Sequence, residues 1–282
     1  MRPRNNHRPR FVFAVAGVAH VAAVGIALNF LRRVTRAEII VVQRAGDPVA
    51  AHDQCLAFEV PDSLTTHQAA IWLKTGLHRL IGLDAPFCYL DTDVIALSPE
   101  IDGIFDEPRA GAAFASDHAV IDGFSRYAVR CGCTGPCPHL REALFCDFAA
   151  DVTRTDFRLW NGGVFVADHD AQPLLETWHA CANASFNLPY WRTRDQGVLA
   201  GAAFLCGLQD APRLPARYNQ IIDCFDGIPG SRRAVTPNAE LARYEAHLPL
   251  PRAVAVHFIN GGVGRTGWPH WDHVAAPLEM VS

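Results

Sequence analysis

Asp91 and Asp93 stand one residue apart in "FCYLDTDVIAL" (Phe87–Leu97), a run that is otherwise almost wholly apolar. Carrying an unpaired carboxylate to the end of a buried strand costs on the order of several kcal/mol per ion, so the pair needs a cation or a proton. If the segment stays extended, side chains two residues apart project to the same side. Two hard oxygen ligands placed so close suit Mg²⁺ or Mn²⁺, ions that commonly share their remaining positions with water and phosphate. Such a cation, bridging a diphosphate, would neutralise charge building on a departing phosphate group. The plainer alternative is a helix-capping aspartate beside another in an exposed turn.

A second phosphate chemistry would use Asp91 as a nucleophile, as haloacid-dehalogenase-type phosphatases do. That motif usually opens a chain and continues Gly-Thr, whereas here Val-Ile-Ala follows Asp93. Asp168 and Asp170 lack the spacing of the downstream acidic pair that such chemistry needs.

The segment "CGCTGPCPHLREALFC" gathers Cys131, Cys133, Cys137, His139 and Cys146. Thiolates and an imidazole suit a tetrahedral structural Zn²⁺ stapling a loop that lacks its own core. The spacings are Cys-x-Cys and Cys-x-x-x-Cys rather than paired Cys-x-x-Cys, so free thiols and a local disulfide stay open beside zinc. The chain has nine cysteines, an odd number, and several lie in apolar runs, as Cys88 does. There a thiol behaves as a small hydrophobe, so a reducing, cytoplasmic compartment is the simpler expectation.

The elements that must position these groups follow from the apolar pattern. With 282 residues, half of them apolar and 19% charged, the chain can bury a substantial core, and wholesale disorder is excluded. The formal net charge is −4, and Arg2, Arg4, Arg8 and Arg10 crowd four positive charges into a basic leader, residues 1–10. The remainder is more acidic still, which excludes a general nucleic-acid-binding surface. "FVFAVAGVAHVAAVGIALNFL", Phe11 to Leu31, is long enough to resemble a signal anchor. His20 and Asn29 interrupt it, however, and Gly17 and Gly25 weaken a continuous helix. It divides naturally into a strand (Phe11–Ala16), a turn at Gly17, and a helix with Val21, Val24, Leu28 and Leu31 in phase. A membrane-anchored, non-enzymatic binding protein is the alternative that the uninterrupted reading would give.

"AEIIVVQ" then completes a β-α-β opening, and "CLAFEV" is a further strand. "THQAAIWLKTGLHRLIG" reads as one helix ending at Gly82, with Ala70, Leu73, Leu77 and Leu80 on one face. "GAAFAS" (Gly111–Ser116) is a strand, and residues 117–158 break the pattern as an irregular cysteine-rich insertion. "LWNGGVFVAD" resumes the sheet and two helices follow, the second, "DQGVLAGAAFLCGL", with Val198, Ala202 and Leu205 in phase. A last strand, "AVAVHFI", precedes the glycine-rich "NGGVGRTGW". This alternation predicts an α/β fold, a mostly parallel central sheet flanked by helices, forming one domain over 11–282. Ligands of such a sheet bind beyond the carboxyl ends of its strands, where Asp91 arrives.

Taken in order, five short blocks resemble the nucleotide-sugar glycosyltransferases of the GT-A (Rossmann-like) type. The likeness is closest to the glycogenin and bacterial lipopolysaccharide galactosyltransferase family, glycosyltransferase family eight. The blocks are a helix with Lys74 seventeen residues before Asp91 of "YLDTDVIAL", then "WNGGVFVAD", "RDQGVLAG", "LPARYNQ" and "VHFINGG…GW". The resemblance implies a metal-dependent transferase moving a hexose from a nucleoside diphosphate sugar, by likeness a UDP-sugar, to a hydroxyl acceptor. That acceptor would be a glycan, a lipid-linked sugar or a small molecule. Asp91, Asp93 and His257 would hold Mn²⁺ or Mg²⁺, with Thr92 between them at the donor. Lys74 would face the donor phosphates, and Asn161 and Gly163 would line the sugar pocket. Asp195 and Gln196 would lie at the reacting centre, and Gly261, Gly262 and Arg265 would fold over the diphosphate. Apart from the resemblance, Asp117 and His118 stand at the end of the strand "GAAFAS", where an acceptor-binding lobe could lie, and are candidate acceptor contacts.

Each residue also has an ordinary structural role open to it. Lys74 could be a solvated helix residue and His257 a hydrogen-bonded core histidine. Asn161 and Gly163 could form a strand-entry turn, and Asp195 a helix cap. The chain also departs from the family. "AVAGVAH" lacks the acid that usually reads uracil after the first strand, and "GRTGWPHW" replaces the closing Lys-Pro-Trp, offering Arg265 and Trp268 at altered spacing.

Overall fold

The computed structural model describes residues 8–48, 50, 52, 54–223 and 253–259. The opening apolar run is split as its glycine suggests: β1 (Arg10–Val15), then α1 (Val18–Val34), then β2 (Glu38–Arg44). Gly17 makes the turn at φ +84°, a region that side-chain-bearing residues avoid, and a Cβ there would lie 2.4 Å from the Thr66 methyl. Every residue of β1 is buried, as expected of a strand covered on both faces. Among the described residues no helix is long and apolar enough to cross a membrane.

Beyond β2 come β3 (Cys55–Phe58), α2 (Thr66–Thr75), α3 (Leu77–Leu80), β4 (Phe87–Leu90) and β5 (Val94–Ala96). β6 (Ala112–Val120), α4 (Ile121–Ala128), α5 (His139–Phe148) and β7 (Arg158–Ala167) follow. The last described elements are α6 (Gln172–Ser185), α7 (Gln196–Leu205), β8 (Gln220–Asp223) and β9 (Ala255–Ile259). Six strands form the main sheet in the order β3-β2-β1-β4-β7-β6. The pairs β3·β2, β2·β1 and β1·β4 are parallel, and β7 runs against both of its neighbours. Alternate strand residues feed two cores. Phe11, Phe13 and Val15 join Val24, Leu28 and Leu31 of α1 on one face, while Val12, Ala14 and Tyr89 meet the helices on the other.

Four sequence expectations need correction. The single helix over 66–82 is broken after Thr75, where Gly76 leaves helical geometry at φ −88° and ψ 3°. A Cβ there would stand 2.9 Å from the Trp72 carbonyl and 3.1 Å from His179 Cε1, so the close packing requires glycine. Ala70 and Leu80 of its expected apolar face are only half-buried, while Lys74 points inward. Residues 117–158 are irregular only in part: β6 extends to Val120, and α4 and α5 are regular helices joined by a loop, with Leu140 and Leu144 buried in the main core. Leu205 is exposed at the end of α7, where Phe204 instead packs on Phe157 at 5.0 Å between ring centres.

A second sheet, β5-β9-β8, has no counterpart in the sequence reading. β5 runs antiparallel to β9 with Val94 opposite His257, and β8 runs parallel to β9 with Ile221 opposite His257. This small sheet carries a residue from the far end of the chain to the end of β4.

The packing of α6 on the α2–α3 break gives a pH prediction. His179 is buried, with Nδ1 2.8 Å from Thr75 Oγ1. Burial, reinforced by Arg79 and His78, lowers its pKa to about 4. Between this value and the ordinary histidine range the unfolded chain takes up the proton and the folded chain does not, so stability falls as pH falls through that window. The expected loss is about 3 kcal/mol at one pKa unit per 1.36 kcal/mol. Urea unfolding of wild type and a His179→Gln variant at pH 7 and pH 4 should show the variant losing less stability by that margin. Equal losses would refute it.

Candidate functional site

β4 ends at Leu90 and hands Asp91 to the carboxyl edge of the sheet. The Asp91 N–H donates to the Gly163 carbonyl at 2.8 Å, and the Val94 N–H to the Asp91 carbonyl at 3.0 Å. Asp91 and Asp93 therefore do not lie on an extended strand. They meet across a tight turn, the Val94–Asp91 bond bending the chain from β4 into β5.

His257 reaches them from β9. Its Nε2 lies 3.2 Å from Asp93 Oδ1, and one ligand atom from each of Asp91, Asp93 and His257 falls within 4.8 Å of the others. Its Nδ1 lies 3.0 Å from Asn219 Oδ1, which can only accept, so the proton belongs on Nδ1 and the Nε2 lone pair faces the acids. A lone pair and a carboxylate attract one another only if a cation or a proton comes between them. Burial alone would keep the ring neutral, but Asp93, with Asp91 behind it, raises its proton affinity above the usual value. His257 is thus buried but is not merely a core histidine. Asn219 went unassigned in the sequence, although the block "LPARYNQ" contains it.

Lys74 is buried, not solvated. Its Nζ donates to Asp91 Oδ1 and Oδ2 at 3.1 and 3.3 Å and to Asp195 Oδ2 at 3.0 Å. Burial would strip its proton, but the two carboxylates overrule this and raise its pKa. The reciprocal effect holds Asp195 below the ordinary carboxylate range, Lys74 outweighing the penalty of burial. Asp91 also accepts from the Tyr89 hydroxyl at 2.6 Å. Asp195 occupies the N-cap position of α7, yet its side chain makes no capping bond and turns to Lys74 instead.

The "NGG" of β7 lies beside this cluster. The register against β6 jumps between the pairs Phe114–Phe165 and Ala115–Asn161, leaving residues 162–164 in a bulge. Asn161 braces the bulge: its Oδ1 accepts from the Gly163 N–H at 2.9 Å and its Nδ2 donates to Asp117 Oδ2 at 3.0 Å. Gln196 Oε1 accepts from the Gly162 N–H at 2.9 Å, while its Nε2 donates to Asp117 Oδ2 at 3.1 Å and to the Trp160 carbonyl. Asp117 is therefore a buried hub tying Asn161 to Gln196, and His118 is buried beside it. Gly163 is required by space, since a Cβ there would sit 2.4 Å from His257 Cε1 and 2.7 Å from Asp91 Oδ2.

A cleft of about 230 Å³ opens over Lys74, Tyr89, Asp91, Thr92, Asp93 and Asp195. His20 and His67 also line it, and the sequence reading assigned neither. The only sign of His20 was that a polar ring interrupts an apolar run. Gly261, Gly262, Arg265 and Trp268 lie outside the described residues.

No family model matches the chain, and no curated protein matches it. Solved structures share its fold. WbbM, a bifunctional glycosyltransferase, superposes with a TM-score of 0.60 at 13% identity over 93% of this chain. The galactosyltransferase LgtC, solved with donor and acceptor sugar analogues, gives 0.54 at 14% identity over 95% of both chains. Mouse xyloside xylosyltransferase 1 gives 0.54 at 11% identity, over 90% of this chain and 98% of its own. The chain spans about half of WbbM, 47%. It has the GT-A type fold of these glycosyltransferases, a mostly parallel sheet flanked by helices.

Proposed function

We propose that this chain is a glycosyltransferase that moves a hexose from a nucleoside diphosphate sugar to a hydroxyl acceptor, with Mn²⁺ or Mg²⁺ held by Asp91, Asp93 and His257. One observation carries the reading: two carboxylates and an oriented imidazole, from distant parts of the chain, converge beside a buried ammonium at the mouth of one cleft. The donor set fits such a cation, with two hard oxygens and a nitrogen, Asn219 Oδ1 accepting from the far side of the imidazole, and a side-chain-free cradle at Gly163. When bound, the cation supplies neutralisation of the charge that develops on the departing diphosphate.

The protein's own groups do the rest. Lys74 holds Asp91 and Asp195 in fixed orientation and brings a positive charge to the cleft wall, where phosphate oxygens would gain from it. Asp195 is kept ionised by that same lysine, so it can stabilise positive charge at a sugar carbon losing its leaving group. Gln196 and Asn161 fix the bulge around Gly162 and Gly163, which shapes the floor of the site. A UDP-sugar is the favoured donor by likeness, and a glycan, a lipid-linked sugar or a small hydroxyl compound is the acceptor.

Thermal shift against a panel of nucleoside diphosphates, with and without Mn²⁺, tests this directly. One of them should stabilise the protein only with the metal, by about 2.7 kcal/mol at a hundred times Kd. An Asp93→Ala variant should lose both the shift and donor hydrolysis. Stabilisation by none of the panel, or undiminished hydrolysis in Asp93→Ala, would sink the proposal.

A further inference from the structure

The loop between α4 and α5 has no core of its own, since no residue from 130 to 136 is buried. It is nonetheless held in one conformation from both ends. The Cys137 N–H donates to the Asp122 carbonyl at 3.0 Å, and Arg126 Nη1 donates to the Thr134 carbonyl at 2.6 Å. Inside the loop, ligand atoms of Cys131, Cys133, Cys137 and His139 all lie within 4.8 Å of one another. Cys131 Sγ is 3.7 Å from Cys137 Sγ, and Cys133 Sγ is 3.7 Å from His139 Nδ1.

These spacings discriminate among the chemistries open to thiols. A disulfide needs sulfurs about 2.05 Å apart, and all eight described cysteines are free. Ordinary packing of apolar thiols would bury them, yet of the four side chains only Cys137 is buried, and His139 is exposed. A tetrahedral zinc site with Zn–S near 2.3 Å and Zn–N near 2.1 Å has ligand-to-ligand edges of about 3.6–3.8 Å. Both measured pairs match such edges. Four ligands, with no fifth among the described residues, fit a closed structural site rather than a catalytic one with an open position. Cys146, named with the cluster in the sequence, is exposed on α5 and is not one of the ligands.

We infer that Cys131, Cys133, Cys137 and His139 bind one structural Zn²⁺ that fixes the α4–α5 loop. The loop braces the approach to the candidate active site. Val129 bridges to Trp191, the Arg130 N–H donates to the Tyr190 carbonyl at 2.8 Å, and the Arg192 N–H to the Ala128 carbonyl at 2.7 Å. Residues 190–192 lead within a few positions to Asp195 and Gln196. Zinc therefore acts as a staple whose loss loosens the entry to α7.

The test does not depend on any transferase activity. Protein purified under reducing conditions should carry about one zinc per chain. Exchange with Co²⁺ should give thiolate-to-cobalt charge-transfer absorption and the intense visible bands of a tetrahedral centre. The sulfur-free Asp91–Asp93–His257 group cannot produce the former. Cys137→Ser should reduce zinc content about tenfold or more, whereas Cys146→Ser should leave it unchanged. Should Cys137→Ser not fold, the cobalt spectrum of wild type decides alone. Absence of zinc together with a cobalt spectrum lacking the sulfur band would overturn the inference. So would an intact Cys131–Cys137 disulfide by mass spectrometry, or equal zinc loss in Cys146→Ser.

Discussion

A Gly163→Ala variant is expected to keep its secondary structure and to lose donor turnover by about a hundredfold or more, as ångström-scale misplacement of reacting groups commonly does. The added methyl would lie 2.4 Å from His257 Cε1, 2.7 Å from Asp91 Oδ2 and 3.0 Å from Asn161 Oδ1. None of these neighbours can withdraw freely. His257 is buried and tied to Asn219, Asp91 is tied to Tyr89 and Lys74, and Asn161 is tied to Asp117. Relief comes only by pushing these three side chains apart, Asp91 and His257 of the proposed metal group among them. Gly162→Ala is the control, because a Cβ there meets nothing closer than 3.4 Å, an ordinary contact. Circular dichroism and a Mn²⁺ titration of turnover would read the outcome. Full activity in Gly163→Ala, or an equal loss in both variants, would show that the cradle has no such role.

Lys74→Met should destabilise the protein by about 3–5 kcal/mol, the usual cost of removing one partner from a buried ionic network. The side chain is of similar length and apolar, so the packing loss is small. Asp91 and Asp195 are left without the ammonium that both contact at 3.0–3.3 Å. The sign of the pH dependence follows from Asp195, whose pKa the lysine lowers. That contribution is present above the unfolded carboxylate pKa and is lost as pH falls through the folded one. The stability gap between wild type and variant should therefore narrow in acid. Mn²⁺ should also narrow it, by returning positive charge to Asp91. A gap that neither acid nor Mn²⁺ diminishes would mean that lost packing, not lost charge, is responsible.

Much of the main sheet was legible because a strand covered on both faces must be largely apolar, and Phe11–Ala16, "FCYL" and the Ile39–Val42 centre of "AEIIVVQ" are. The Gly17 turn was equally plain. What a strand pairs with is not written in its own residues. β9 was recognisable as a strand, but nothing local said that it would join β5 and β8 in a separate sheet. His257 was therefore assigned to the metal group only through the order of family-like blocks, and Asn219, Asp117, His20 and His67 received little or no role. Their importance rests on contacts between residues tens of positions apart. The need for glycine at position 76 was invisible for a similar reason, since the obstacle to a Cβ there includes His179 from another element. The acids of "DTD" were read correctly as neighbours but by the wrong geometry, a turn replacing an extended strand.

The pairing of Val94 with His257 has a temporal consequence. A ribosome finishes β9 long after the main sheet and Asp91 and Asp93 have emerged, so a nascent chain can assemble that sheet before His257 takes its place opposite Val94. His257 arrives with β9, whereas Lys74 and Asp91, which contact each other at 3.1 Å, are both made well before it.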